Sequence, residues 1–349
     1  MAAEARLARA LTPISRAGVV FLVEDERSAS ARTRGTELLP GLAREGIEAR
    51  VEALARGALA RRRQLAGLAR DEVVVLGRKL LAEGDLARLR RAARALVFDL
   101  DDALPERPSD SGKRGRSWSR PRRFADALRA ADLVVAGSGA LRDLASRHPR
   151  VRLLPVSVEI PASVPARGEG DGTASEVRLL WTGSRATLPY LERLASPLAA
   201  VARRHPRVVL EAVCDARPAL PCVFTDWTLE SEKTALARAE IGLHPLAADA
   251  WSRGKCGLKL ALYLAWGIPA VSSRAGAGAE LLDAPRAGLL ADDDGEWLSA
   301  LARLVSSPAL RRAMGAHARA EAAARLSLEA RVRSWAAVLR EARDLASHV

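Results

Sequence analysis

Short apolar runs rich in β-branched residues recur along this chain, and most are followed by a stretch with helical spacing. Gly18 to Glu24 (GVVFLVE), Ile47 to Val51, Glu72 to Leu76 (EVVVL), Ala95 to Leu100 (ALVFDL), Leu133 to Ala136 (LVVA) and Val151 to Leu154 (VRLL) predict buried parallel strands. Helices are expected over Ala31 to Arg44, with Leu38, Leu39 and Leu42 inward, over an arginine-rich stretch before Ala95, and over Ser138 to Arg147. From Pro155 to Glu176 the pattern stops, and Pro, Ser, Gly and acidic residues predict a linker. Alternation then resumes. Strands are expected at Val177 to Trp181, Val208 to Val213, Ile241 to Leu243, Ile268 to Val271 and Gly288 to Leu290, with helices over Leu188 to Arg203 and Glu230 to Ala239. After Asp292 the chain is helical, with one helix starting at Ser307-Pro308 and a last one from Leu326.

Such alternation predicts an α/β protein with two doubly wound, Rossmann-like parallel-sheet domains facing across a cleft. The expected division is residues 1–156, a linker at 157–176, a second domain at 177–325, and a helix at 326–349 that crosses back to the first domain. A length of 349 residues agrees with two cores. Charged residues interrupt every apolar run before the roughly 20 residues needed to cross a bilayer, and the amino-terminal stretch lacks a compact apolar core. Three cysteines, Cys214, Cys222 and Cys256, form no C-x-x-C pair, which argues against a disulfide framework or a zinc site. A cytoplasmic protein is the expectation.

The net charge of +13 is concentrated in the first half, where residues 1–156 carry 31 Lys and Arg against 20 Asp and Glu. That surface suits anionic lipid or an acidic acceptor, so peripheral contact with the inner membrane face is expected. Aromatic residues make up 4%, and no stretch interleaves them with basic residues as a stacking platform would, so no nucleic-acid binding is expected.

Ligands of doubly wound sheets collect at the carboxyl ends of the strands. In the first half that rule selects Arg32 and Arg34 after the first strand, Asp99, Asp101 and Asp102 at the end of the fourth, and Ser138 after the fifth. The FDLDD cluster suits a divalent metal or a general base, and equally a helix cap or solvated turn. Ser109 to Gly115, with basic residues from Lys113 to Arg123, is expected to be a mobile solvated loop. In the second half the stretch Trp251 to Val271 (WSRGKCGLKLALYLAWGIPAV) organises the rest. Lys255 and Lys259, four apart, would place two ammonium groups on nearly one helix face near its positive end, a seat for a diphosphate.

The carrying residues Trp181-Thr182-Gly183-Ser184, Thr187, Tyr190-Leu191, Gly242-Leu243, Pro245-Leu246, the 251–271 stretch, Gly276, Gly278, Glu280, Gly288-Leu289-Leu290, Pro308, Leu310-Arg311, Gly315 and Ser327 form a recognisable set. With them residues 177–335 closely resemble the family 4 (group 1) branch of nucleotide-sugar-dependent glycosyltransferases, of the two-Rossmann-domain fold called GT-B. Residues 1–156 resemble it more loosely. The resemblance implies a retaining, metal-independent transfer from a nucleotide-sugar to a glycan, lipid-linked or other acceptor, with no cofactor. It implies donor binding by Gly183, Ser184, Thr187, Trp251, Arg253, Lys255, Gly257, Lys259 and Glu280. Asp101, Asp102, Lys255 and Lys259 would be catalytic, and Arg32, Arg34 and Asp99 would serve the acceptor. His244 and Cys256 are expected to be structural.

One departure stands out. Many relatives carry glutamates at the positions of Gly254 and Leu262, the second associated with the donor's ribose. A donor-binding protein without turnover and a sugar-nucleotide epimerase therefore remain as alternatives on the same architecture.

Overall fold

The computed structural model describes residues 18–68, 72–108, 117–165 and 176–346. The loop expected at Ser109 to Gly115 and the middle of the linker lie outside them. Two sheets of six parallel strands each form the framework. The first contains β1 (Val19–Val23), β2 (Ala49–Ala53), β3 (Val73–Gly77), β4 (Ala95–Leu100), β5 (Leu133–Ala136) and β6 (Val151–Leu153), in the order β2-β1-β3-β4-β5-β6. Its helices are α1 (Ala29–Arg34), α2 (Leu39–Arg44), α3 (Ala58–Ala66), α4 (Glu83–Ala92), α5 (Ser119–Ala130) and α6 (Gly139–Leu144). The expected helix Ala31 to Arg44 is broken. Gly35 leaves helical geometry at φ −139°, and Pro40 in the first turn of α2 has no N–H with which to continue the earlier ladder.

Apolar residues alternate along β1, and each set faces a different helical layer. Val20 and Leu22 pack with Leu65 of α3, Leu86 and Leu89 of α4 and Phe124 of α5. Val19 and Phe21 face Leu42 of α2 and a helix from the other end of the chain, α15 (Leu328–Leu345), which completes this domain. Its residues Val332, Trp335, Ala336, Leu339 and Ala342 recur at helical spacing and are all buried on the first sheet. Trp335 meets Phe21 edge-on, with ring centroids 5.5 Å apart.

The second sheet holds β7 (Val177–Thr182), β8 (Val208–Cys214), β9 (Val223–Asp226), β10 (Ile241–His244), β11 (Ala270–Ser272) and β12 (Gly288–Leu290), in the order β12-β11-β10-β7-β8-β9. Around it run α7 (Leu188–Glu192), α8 (Ala195–Arg204), α9 (Leu229–Arg238), α10 (Ala250–Arg253), α11 (Leu258–Ala265), α12 (Gly278–Leu282), α13 (Asp294–Ser306) and α14 (Pro308–Arg325). Strand order reverses between β7 and β10, as it does between β1 and β3, which marks two crevices for ligands. The helix expected over Leu188 to Arg203 is two pieces, and the edge strand β9 lacks the buried apolar run that marks the others. The stretch after Pro155 is not wholly a free linker. Val156 and Val158 are buried in the second core, and the Val158 N–H donates to the Leu326 carbonyl at 3.0 Å. Among the described residues no helix is long and apolar enough to cross a membrane.

Because α15 supplies one face of the first core, Trp335→Ala is expected to destabilise that domain by about 3–5 kcal/mol. A urea midpoint unchanged from wild type, followed by Trp fluorescence and circular dichroism, would contradict this role.

Candidate active site

β4 carries the first wall of the cleft. Its residues are all buried, and Asp99, inside the strand, is paired with Arg34 of α1 in a two-point contact, Nε to Oδ2 at 2.7 Å and Nη2 to Oδ1. Asp101 and Asp102 follow the strand. Arg78, held in the left-handed region at φ 38°, reaches Asp101 at 3.5 Å and Asp102 at 2.5 Å, and the Ser30 hydroxyl donates to Asp101. These contacts push the two carboxyls apart in proton affinity. Burial opposes the Asp101 charge, but Arg78 and Arg34 outweigh it and hold its pKa below the ordinary value. Asp102 is pushed upward by burial despite Lys255 beside it.

The second wall is built by the loop from Asp249 to Gly257 and by α11. Asp249 caps α10 by accepting from the Ser252 N–H at 2.7 Å, and Gly257, at φ +76°, turns the chain into α11. The two lysines are not neighbours on one helix face. Lys255 lies in the loop before α11, while Lys259 occupies its first turn. Their ammonium groups part accordingly: Lys255 crosses to Asp102 Oδ1 at 2.8 Å, and Lys259 donates to Thr187 Oγ1 at 3.0 Å. Each also stands over an indole, Lys255 at 4.6 Å from the Trp251 centroid and Lys259 at 4.4 Å from that of Trp181. Burial, with Lys255 as a second cation, lowers the Lys259 pKa to about 7. His244, at the end of β10, bonds Ser272 Oγ through Nδ1 at 2.9 Å, and burial lowers its pKa to about 3. It is a neutral, structural imidazole, and the expectation stands.

The walls meet at glycines. A Cβ on Gly254 would lie 2.3 Å from the Ala103 nitrogen, and one on Gly137 would lie 2.5 Å from Cys256 Sγ. Cys256 donates its thiol proton to the Asp101 carbonyl at 3.2 Å, and burial raises its pKa, so it is a packed thiol that joins the domains. At Gly254 no side chain larger than a hydrogen atom fits between the domains. Glu280, in the first turn of α12, accepts from the Gly139 N–H of the first domain at 3.0 Å.

Between the walls lies a cavity of about 590 Å³, lined on one side by Arg78, Leu80, Leu104 and Arg120 and on the other by Ser184, Thr187, Tyr190, Trp251 and Lys255. A second cavity of about 550 Å³ opens at the β1/β3 crevice and includes Arg34 and Asp99. Arg32 is separate, near Trp227 and in a crevice of about 220 Å³ shared with Leu262, and Arg253 is exposed and lines none of these three. In that crevice Leu262 sits among Leu258, Trp266, Leu236 and Val158; of the three carboxylates that line it, Glu37, Glu159 and Glu232, the last is buried and accepts from Thr182 Oγ1 at 2.6 Å and Trp227 Nε1 at 3.2 Å. Gly183 is close enough to Lys259 that a Cβ would lie 2.8 Å from Nζ. Sequence reasoning missed Arg78 and Glu232, whose importance comes from contacts between distant segments. Among the described residues the group with metal-ligand spacing, Asp283, His317 and Glu321, joins the residue after α12 to α14 and does not include the cleft aspartates.

The fold is GT-B. Residues 223–337 match the family model described as glycosyl transferase-like. Among solved structures it is similar to sucrose-phosphate synthase from Thermosynechococcus elongatus, at 16% identity and a TM-score of 0.72, over 93% of this chain and 99% of that one. It is also similar to HepE of Anabaena in complex with UDP and glucose, at 16% identity and a TM-score of 0.70, over 93% and 100% of the two chains. A glycosyltransferase from Rickettsia africae follows at 12% identity and a TM-score of 0.66, over 94% and 99%. No curated protein matches the sequence.

Gly254→Ala is expected to force the domains apart at a cost of about 1–3 kcal/mol. Small-angle scattering should show a larger radius of gyration; a profile identical to wild type would mean that this contact does not set the domain spacing.

Proposed function

We propose that the chain transfers a sugar from a nucleoside diphosphate sugar, held by the second domain, to a hydroxyl of an acceptor presented by the first. The observation that carries this reading is Lys259. Its ammonium group sits at the β7/β10 crevice with a neutral hydroxyl and an indole face as its close partners, and burial makes its charge costly there. A diphosphate would supply the missing anion. As the bond from sugar C1 to the phosphate oxygen breaks, negative charge grows on the departing diphosphate, and Lys259, Lys255 and the N–H groups opening α11 answer it without a metal ion. Gly183, Ser184 and Thr187 line the donor side, and Trp251 offers a face for the sugar or base.

In this reading Asp101 remains a carboxylate and orients the acceptor hydroxyl, while Asp102 holds Lys255 in place and, with its raised pKa, is the one of the pair that can carry a proton. Transfer proceeds with retention, the leaving phosphate oxygen taking the acceptor proton. Arg34 acts through Asp99, its buried partner, to hold the wall that presents the acceptor. The acceptor is a glycan, a lipid-linked glycan or another hydroxyl-bearing molecule, and the basic first domain, where Trp118 is 95% exposed just before the arginine-rich α5, faces an anionic membrane. Leu262 in its apolar crevice favours one alternative, a protein that binds donor without turning it over.

Titration calorimetry with UDP-, GDP- and TDP-sugars, with and without EDTA, tests the reading. Micromolar binding indifferent to EDTA and lost in Lys259→Ala is expected, with turnover in that variant reduced by about 2–4 kcal/mol of transition-state stabilisation. Full turnover in Lys259→Ala would rule out its role, and binding without turnover across an acceptor panel would leave the donor-binding alternative.

The pH dependence follows from the same group. With a free-protein pKa of about 7, Lys259 is charged below that pH and neutral above it, and a bound diphosphate restores the charge. Donor affinity should therefore hold below pH 7 and fall above it, with proton uptake on binding at pH 8. Equal binding heats in buffers of different ionisation enthalpy at pH 8, after subtraction of dilution, would contradict the assignment.

A further inference from the structure

The first-domain wall of the central cavity carries more positive charge than its carboxylates balance. Four cationic residues of the first domain line it, Arg78, Lys79, Arg120 and Arg123, against Glu24, and Lys255 faces them from the second domain. Three have carboxylate partners: Lys79 pairs with Glu24, and Arg78 and Lys255 both pair with Asp102. Arg120 has none among the described residues. Its Nε donates to the Leu104 carbonyl at 2.8 Å, which fixes the guanidinium at the cavity wall. Arg107 lies close enough to repel it, and Arg107 Nε is itself buried with no hydrogen-bond partner among the described residues. Burial and then Arg107 lower the Arg120 pKa, whereas the attractions of Glu24, Asp102 and Glu106 are smaller. Arg123, one turn along α5, adds an exposed cation without a carboxylate partner among the described residues, while Arg122 between them turns to Glu83 at 3.2 Å.

We infer that Arg120 and Arg123 seat a phosphate carried by the acceptor, so that the enzyme glycosylates a phosphorylated acceptor and not a neutral glycan. The inference rests on the glycosyltransferase reading and narrows its acceptor class. Two features separate this seat from the donor's. The arginines belong to the first domain, whereas the cations assigned to the diphosphate, Lys255 and Lys259, belong to the second. The same first-domain wall also carries Leu80 and Leu104, with Tyr190 opposite, so a sugar ring can lie between apolar faces while its phosphate meets the arginines. A cavity of about 590 Å³ accommodates a ligand of that size. The same chemistry occurs on a soluble sugar phosphate and on a lipid-linked sugar diphosphate.

The test uses the full chain, wild type and Arg120→Gln/Arg123→Gln, with Arg123→Gln alone as the milder variant if the double variant unfolds early. Glucose 6-phosphate, a short-chain prenyl diphosphate N-acetylglucosamine and glucose are titrated by calorimetry on the free protein and on the protein saturated with UDP. At least one phosphorylated probe is expected to bind at least tenfold more tightly than glucose, and to lose at least tenfold in the double variant, or at least threefold in Arg123→Gln alone. UDP affinity should be unchanged in either. Which phosphorylated probe binds identifies the soluble or lipid-linked source. Binding of neither, or binding that both variants leave intact, overturns the proposal. Loss of UDP binding in wild type would instead count against the donor site, and the probes titrated on free protein would still report on the arginines.

Discussion

The structure depends on the near contact of two backbones, Gly254 against Ala103. At that spacing Lys255 reaches Asp102 and Cys256 reaches the Asp101 carbonyl, so the strand-end carboxylates of one domain and the basic loop of the other form one site. A larger residue at 254 would widen the gap and leave each wall without the other's charges. Asp102 would lose its ammonium partner in a place where burial already disfavours its charge. The spacing is therefore an electrostatic requirement as much as a steric one.

Much of the framework was legible because buried parallel strands are continuous apolar runs, and EVVVL and ALVFDL have few other uses. Strand β9 escaped for the same reason, since an edge strand with exposed residues carries no such run. The break at Gly35 and the start of α11 at Leu258 depend on backbone turns that helical periodicity does not register. In the site, strand-end position found Asp101 and Asp102, and the WSRGKCGLK loop found Lys255 and Lys259. The sequence could not show that the lysines go to different partners, because Asp102 and Thr187 lie far from both in the chain. Arg78 and Glu232 were invisible on similar grounds: neither belongs to a motif, and each matters through residues that only the fold brings near.

The absence of glutamates at 254 and 262 has two different physical settings. At 254 the obstacle is the other domain's backbone. At 262 the half-buried side chain joins Leu258, Trp266 and Leu236, and the buried carboxylate of that crevice, Glu232, comes from α9.

The helix α15 closes the first sheet only after the whole second domain has been made. A ribosome adding about 5–20 residues per second needs roughly 10–30 s to go from the start of β7 to the end of α15. Throughout that interval Phe21, Val73, Val75 and Val97 have no Trp335 to cover them. The nascent first domain must wait with an apolar face open, so its biogenesis favours a cell in which a chaperone can occupy that face until the last helix emerges.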